Sequence, residues 1–540
     1  MKNLVVVVLL LWVLLVLNAL AQATTYYASP TGGGSTCSLV SPCALGPTFI
    51  AKAAAGDTLV LLNGTYTESN STFPSINCNS GANNGTSAQH ITITAQTERQ
   101  AFLNGNGSAN MFEMDNCHYW DIVGLRIKST DFNAQTGETF LLRTSSYITV
   151  RRMLISHDNR YVNASLIFLG NTTDSLIEEN ELYYFHRHGI SLYYSNSNVI
   201  RRNYINSRGY QDYGYPNCPS TPAYCSATPD RGEAAINIYP GSNNIAENNI
   251  SEGNLSLLNI EAFDTSMGNQ GFGNMSIGDV GPLLARARGS DLNYMPQNTY
   301  VENMVAINAG TSYGQSVYGD SFWLRAAKNA VCDHCTFLNS TESGLWADTE
   351  VGQPGDGAPS LTITNSIFAG AQDAVHGGYG LVIGAEWTKT VDHIITYQNL
   401  TNYSGVTPTN SYTSTNPGLG ACYLWVPDGA FAKAKGTSSS DIGATVLYKY
   451  QNGKITSNKL WNTDGSATFA GATIAGINDN ASGFGLVNVA SRLHIGAANG
   501  CTFPASYANP LTIVINGPTS NPTYSTSQAT ITLSGTSNLP

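Results

Sequence analysis

The stretch that decides the fold is Asn198-Val199-Ile200-Arg201-Arg202-Asn203-Tyr204-Ile205, because Asn243-Asn244-Ile245-Ala246-Glu247-Asn248-Asn249-Ile250 repeats its pattern. Each copy is a run of β-formers, a polar turn with Asn, and β-formers again. Toward the N-terminus the unit recurs in Tyr119–Ile127, Tyr147–Ile155 and Ser175–Leu182. Toward the C-terminus it recurs in Thr299–Val305, Ala330–Phe337, Leu361–Phe368 and Val391–Ile395. The starts lie about 23 to 32 residues apart, with two longer gaps, which is the period of one solenoid turn. One such turn cannot bury its apolar face alone. Stacked turns about 4.8 Å apart bury it continuously. Residues of equal phase then form ladders, and a turn Asn can bond its neighbours above and below. No 3.6-residue period competes over these stretches.

Composition agrees. Of 540 residues only 11% are charged, where about 25% is usual, while 42% are hydrophobic. Coiled coils, most helical bundles and long charged tails are thereby excluded. The net charge of −11 argues against duplex nucleic acid and against an anionic membrane surface. Lys2, the apolar run Leu4–Leu17 and Ala19-Leu20-Ala21 predict a signal peptide over residues 1–21, with the mature chain beginning near Gln22. Ten cysteines suit an oxidising compartment. Cys37 and Cys43 are spaced to staple one loop, and Cys218 and Cys225 to close another. Cys332-Asp333-His334-Cys335 is read as structural, since no second ligand pair accompanies it. The expected protein is secreted or bound at the cell surface. It is expected to be monomeric, to bind no nucleic acid and not to be inserted in a membrane after signal cleavage.

Two further stretches carry a resemblance. Tyr26-Tyr27-Ala28-Ser29-Pro30, and Ala54-Ala55-Gly56-Asp57-Thr58-Leu59-Val60 with Asn63-Gly64-Thr65-Tyr66 behind it, look like the N-terminal strands of secreted right-handed parallel β-helix proteins. The chain from about residue 25 to 405 resembles this pectate-lyase-like superfamily. The fold class this implies is all-β: a right-handed parallel β-helix of about ten to twelve turns over residues 22–405. A β-rich C-terminal extension is expected over 406–509. A partial immunoglobulin-like segment is expected over 510–540, on strands Leu511–Ile515 and Gln528–Leu533. The resemblance transfers no catalytic residue. Arg126-Ile127-Lys128 and Asn462-Thr463-Asp464-Gly465 match fragments of polygalacturonase-like motifs, but in reversed order and without paired Asp or Gly-His-Gly.

Geometry offers a site instead. Aligning inward apolar pairs puts Ile190/Leu192, Ile236/Ile238, Leu258/Ile260, Phe322/Leu324 and Leu345/Ala347 in phase. The outward residues then form two columns. One is Ser191, Asn237, Asn259, Trp323 and Trp346. The other is Tyr193, Tyr239, Glu261, Arg325 and Asp348. Read as consecutive rungs, Glu261 and Arg325 lie about 5 Å apart and Glu261 and Asp348 about 10 Å. Side-chain lean would bring two carboxylates into the range of inverting glycoside hydrolysis. Arg325 would alternatively neutralise a uronate carboxylate for β-elimination. The expected catalytic residues are Glu261, Arg325 and Asp348. The expected sugar-binding residues are Asn237, Tyr239, Asn259, Trp323 and Trp346, with Tyr210, Tyr213 and Tyr215 from a wall.

That wall is the insertion Ser207–Arg231, which also carries Tyr224, Cys218 and Cys225. A second insertion is read over Asp264–Asn298, with Arg286, Arg288 and Asp291. No metal is required by any motif. A calcium ion could use Glu350 and Asp356 after Asp348. His186 and His188 lack a third zinc ligand in register, as does His376, and His188 is expected to point into the core. Two functions stay open: a polysaccharide lyase or glycoside hydrolase acting on an extracellular glycan, and a non-catalytic glycan-binding scaffold or adhesin.

Overall fold

The computed structural model describes residues 23–80, 83–105, 110–129, 138–157, 164–185, 187–207, 234–287, 294–310, 319–349, 357–375, 377–469, 485–508, 513–517 and 534–537. Residues 1–21, where a signal peptide is expected, lie outside them.

Alternating apolar residues in short strands need a facing partner, and here the next turn supplies it. In one turn, Leu176–Glu178 enters a first sheet, Glu181–Tyr183 a third and His188–Tyr193 a second. The following turn pairs in parallel: Ile177 with Ile200, Leu182 with Ile205, Ile190 with Ile236. Repetition builds three parallel sheets of 13, 12 and 12 strands. The first runs from Thr25–Ala28 to Thr388–Asp392, the second from Ser75–Asn77 to Thr401–Ser404, the third from Gly64–Tyr66 to Ile395–Tyr397. The chain is a parallel β-helix, as its periodicity predicts. Ile190, Ile236, Ile260, Leu324 and Leu345 are fully buried in one continuous core.

The recurrent Asn has a specific task. Between first-sheet and third-sheet strands the backbone turns through left-handed residues Glu179, Arg202, Asn248, Gly273 and Asn303. The next residue in four of these turns is Asn180, Asn203, Asn249 or Asn274, each buried. Their side chains form a ladder. Asn180 Nδ2 donates to Asn203 Oδ1 (2.9 Å), Asn203 Nδ2 to Asn249 Oδ1 (3.0 Å), and Asn249 Nδ2 to Asn274 Oδ1 (3.0 Å). Asn198, Asn244 and Asn269 repeat this where the second sheet passes into the first. An amide both donates and accepts, so one residue type satisfies corner groups that would otherwise be buried and unpaired.

The C-terminal extension corrects one expectation. Among the described residues of 406–508, the only strands form the hairpin Tyr448–Gln451 and Lys454–Lys459; the rest is turns, loops and short helices. Its apolar residues need no sheet of their own. Leu424, Trp425, Ile442, Leu460 and Trp461 pack on the outward side chains of the third sheet, among them Tyr204, Ile250, Met275, Val305 and Ile307. Corner residues dock its backbone: Tyr450 N donates to Asn248 Oδ1 (2.6 Å), Thr445 N to Asn303 Oδ1 (2.8 Å), and Thr437 N to Asn365 Oδ1 (2.8 Å). The outer face of the third sheet is thus covered from Leu154 to Ile395.

The eight described cysteines form four disulfides: Cys37–Cys43, Cys78–Cys117, Cys332–Cys335 and Cys422–Cys501. Cys218 and Cys225 lie outside the described residues. Beyond 508 only Ile513–Gly517 and Ser534–Ser537 are described, and they pair antiparallel. The expected strand Gln528–Leu533 lies outside them.

Candidate functional site

The expected columns stand on the outer face of the second sheet. Ser191 pairs with Asn237, Asn237 with Asn259, and Trp323 with Trp346. Tyr193 pairs with Tyr239, and Arg325 with Asp348. The spacing differs from the expectation. Strand Leu283–Ala287 lies between Ser256–Ala262 and Phe322–Arg325, pairing Glu261 with Arg286 and Arg286 with Arg325. Asp264–Asn298 is therefore not an insertion but carries a complete turn. Its strands Gln270–Phe272 and Met275–Ile277 hold Gly271, and Gly273 takes the left-handed corner. With Gly271 and Gly273 where other turns have larger residues, this turn has only a weak β-former signature.

The correction changes the chemistry. Glu261 lies two rungs from Arg325 and three from Asp348, about 10 and 14 Å at the backbone. That exceeds the roughly 6.5–9.5 Å between the carboxyls of an inverting pair. Arg286, not Arg325, is the neighbour of Glu261: its Nε (3.1 Å) and Nη2 (2.5 Å) both donate to Glu261 Oε1. Asn259 Nδ2 donates to the same oxygen and to Asn237 Oδ1, each at 2.8 Å. On the far side, Arg325 lies over the Trp323 ring at 4.9 Å. Burial pushes the Asp348 carboxyl up, against hydrogen bonds from Trp346 and Trp323 and the Arg325 charge, which lower it. The column thus reads carboxylate, guanidinium, guanidinium, carboxylate over four rungs. Two like charges about 5 Å apart repel unless an anion bridges them or the outer carboxylates compensate.

Accessibility divides the site. Asn237, Tyr239, Asn259 and Glu261 are buried, although the expectation placed them on an open groove. Tyr239 stands 5.7 Å from Phe263 and 6.3 Å from Tyr193, ring to ring, so aromatics crowd this end. Asn237 Nδ2 and Asn259 Oδ1 are buried with no hydrogen-bond partner among the described residues. Trp323, Arg325, Trp346 and Asp348 are half-buried, and the Arg286 side chain is 32% exposed. Tyr210, Tyr213, Tyr215 and Tyr224, with Arg288, Asp291, His186, His376, Glu350 and Asp356, lie outside the described residues.

His188 also departs from expectation. It is buried, but its ring meets Tyr239 edge-on at 6.1 Å, on the outward side. The strand changes phase at its start: a Cβ at Gly189 would meet the core side chain of Ile205, so Gly189 takes the inward place. A two-residue alternation counted back from Ile190 misses this step.

Asp320 is a residue that sequence reasoning missed. It lies just before Phe322–Arg325, buried, and accepts a hydrogen bond from Ser343 Oγ. Burial first, and then the charges of Glu342 and Asp348, hold its carboxyl well above the usual range. A lone Asp after Gly319 carries no sequence signal for this.

A family model described as right handed beta helix region matches residues 106–261. The fold is similar to that of a mannuronic acid specific polysaccharide family 6 lyase from human gut microbiota, at 12% identity and TM-score 0.45, over 71% of this chain and 82% of that one. It is also similar to a GH87 α-1,3-glucanase from Streptomyces thermodiastaticus, at 12% identity and TM-score 0.47, over 73% and 68%. A pectate lyase matches at 12% identity and TM-score 0.36, over 79% and 96%. No curated protein matches the chain. The chain is a parallel β-helix, and residues 106–261 match the family of right-handed ones.

Proposed function

We propose that this chain is a secreted, carbohydrate-active β-helix protein that takes an acidic polysaccharide along the outer face of its second sheet and cleaves it by β-elimination. The observation that carries this reading is the pair Arg286 and Arg325 on adjacent rungs, flanked by Glu261 and Asp348. Adjacent guanidinium groups are matched to a sugar carboxylate. Trp323 and Trp346, one above the other beside them, offer apolar faces to sugar rings. Four disulfides favour an oxidising, extracellular setting.

Neutralising a uronate carboxylate acidifies the proton on C5. Asp348, the next rung beyond Arg325, is a stronger base for being buried. It takes the C5 proton, the C–H electrons form the C4–C5 double bond, the C4–O bond breaks, and the departing oxygen takes a proton from water. Hydrolysis by Glu261 and Asp348 as a carboxyl pair is disfavoured by their separation of three rungs.

Purified protein is incubated with alginate, polygalacturonate and a neutral glucan, following absorbance at 235 nm and reducing ends. The reading expects 235 nm product from an acidic substrate only. It expects Asp348→Asn to cut turnover at least 100-fold with little change in binding, and Arg325→Ala to weaken binding. Reducing ends without 235 nm absorbance would overturn β-elimination. Retained binding with no product from any substrate would leave the glycan-binding scaffold. Unchanged behaviour of the Arg286→Ala/Arg325→Ala variant would remove the site.

A further inference from the structure

The corner leading into the first sheet repeats from turn to turn. In eight successive turns it is made by Tyr119, Tyr147, Asp174, Ser197, Asn243, Gly268, Asn298 and Asn329, all with positive φ. Six of the eight are the small or short polar residues that tolerate the left-handed region. Tyr119 (φ 60°) and Tyr147 (φ 55°) are not. A bulky side chain is strained in this conformation; Tyr184 and Tyr194 adopt it at other corners too, so what sets Tyr119 and Tyr147 apart is that they stack.

The two rings stack, with centroids 4.6 Å apart and planes 3° from parallel. His90, on the turn before, leans on Tyr119 at 5.5 Å, and its Nδ1 lies 3.0 Å from Asp121 Oδ1. Tyr147 ends the stack and is 43% exposed. His90, Tyr119 and Tyr147 line an open hollow of about 320 Å³ with Ser87, Thr149 and the exposed Asp174 on its rim. No Lys or Arg lines it.

We propose that this hollow is a second glycan-binding site, taking an uncharged sugar segment with one ring stacked on Tyr147. It lies on the first sheet, whereas the arginine pair lies on the second, and it rests on none of the residues invoked there. An aromatic platform rimmed by short polar groups suits a ring that is apolar on its faces and hydroxylated at its edge. Without Lys or Arg in the lining, and with Asp174 on the rim, an acidic sugar is not favoured here. The volume fits one or two sugar units, while a stable protein partner needs about 800 Å² of surface.

The test is titration calorimetry of the full chain with neutral hexasaccharides of β-1,4-linked glucose, xylose and mannose and of α-1,4-linked glucose. Variants are Tyr147→Asn, Tyr119→Asn and Trp323→Ala. Asn is what three other turns use at this corner, so the Tyr variants keep the backbone and relieve its strain. The proposal expects at least one probe to bind the wild type. Tyr147→Asn should weaken that probe tenfold or more with an equal or higher Tm, and Trp323→Ala should leave it unchanged. No binding by any probe, or binding within twofold of wild type in both Tyr variants, overturns the site. A fall of several degrees in Tm with binding retained would make the stack a structural strut, which also overturns it.

Discussion

Replacing Asn249 by Ala tests what holds the turns together. Asn249 is fully buried. Its Nδ2 donates to Ile200 O (2.9 Å) and Asn274 Oδ1 (3.0 Å), and its Oδ1 accepts from Asn203 N (3.1 Å) and Asn203 Nδ2 (3.0 Å). Truncation removes all four bonds, but their costs differ. Asn203 Nδ2 keeps Ile177 O, and Asn274 Oδ1 keeps the backbone N–H of Asn249. The Asn203 N–H loses its partner, whereas the Ile200 carbonyl stays within the paired strands. At about 1–3 kcal/mol for an unsatisfied buried group, the expected loss is about 1–3 kcal/mol. Water entering the space left by the amide would bring it toward the lower figure. The control is Asn63→Ala. Asn63 also bonds across turns, with Nδ2 donating to Thr97 Oγ1 (3.0 Å) and Oδ1 accepting from Thr97 N (3.2 Å), but it is exposed. Water replaces those bonds, so less than about 1 kcal/mol is expected. A solenoid opens locally, so the assay is native-state hydrogen exchange in peptides covering 198–206 and 245–252, beside urea melts. Protection should fall in these peptides and not in turns far along the helix. If Asn249→Ala costs no more than Asn63→Ala, burial does not make the ladder costly and the argument fails.

Three further outcomes follow from the same structure. Asp279 occupies a buried ladder corner, and burial first, with Glu252 adding, raises its carboxyl to about 7. The folded state therefore holds its proton more tightly than the unfolded chain. Stability should be full below about pH 4 and fall as pH rises to about 7, by at most about 4 kcal/mol, and Asp279→Asn should flatten that slope in melts taken from pH 4 to 8. Arg99 and Glu181 form a fully buried ion pair, with Tyr183 donating to Glu181 Oε2. Arg99→Met alone should cost about 3–5 kcal/mol, and the double variant with Glu181→Leu should recover most of it, read from urea midpoints. Trp425→Ala should cost about 3–5 kcal/mol, and limited proteolysis should then cut the extension before the helix, since Trp425 packs in the cluster between them.

The amino-acid sequence by itself determined the solenoid, because its information is local and repeated. Ile190 and Ile236, or Asn203 and Asn249, declare their phase within a few residues, and stacking follows from the need to bury that phase. It also settled which of Trp323, Arg325, Trp346 and Asp348 face outward together, since alternation within a strand fixes the face. What it could not supply was the count of rungs. The turn through Gly271, Gly273 and Leu283–Ala287 keeps the corner Asn269 and Asn274 but sets Gly271 between Ala246 and Val301, so its β-former run was too weak to be counted. Only the tertiary pairing set Arg286 between Glu261 and Arg325, replacing a carboxylate pair by an arginine pair. The phase step at Gly189 turned His188 outward for the same reason: one residue of irregularity reverses a face. The covering of the third sheet by the extension, and the environments of Asp279 and Asp320, join residues too far apart in the chain for any local pattern to record. Burial of such groups is a property of what packs over them, and that is decided only when the chain has folded.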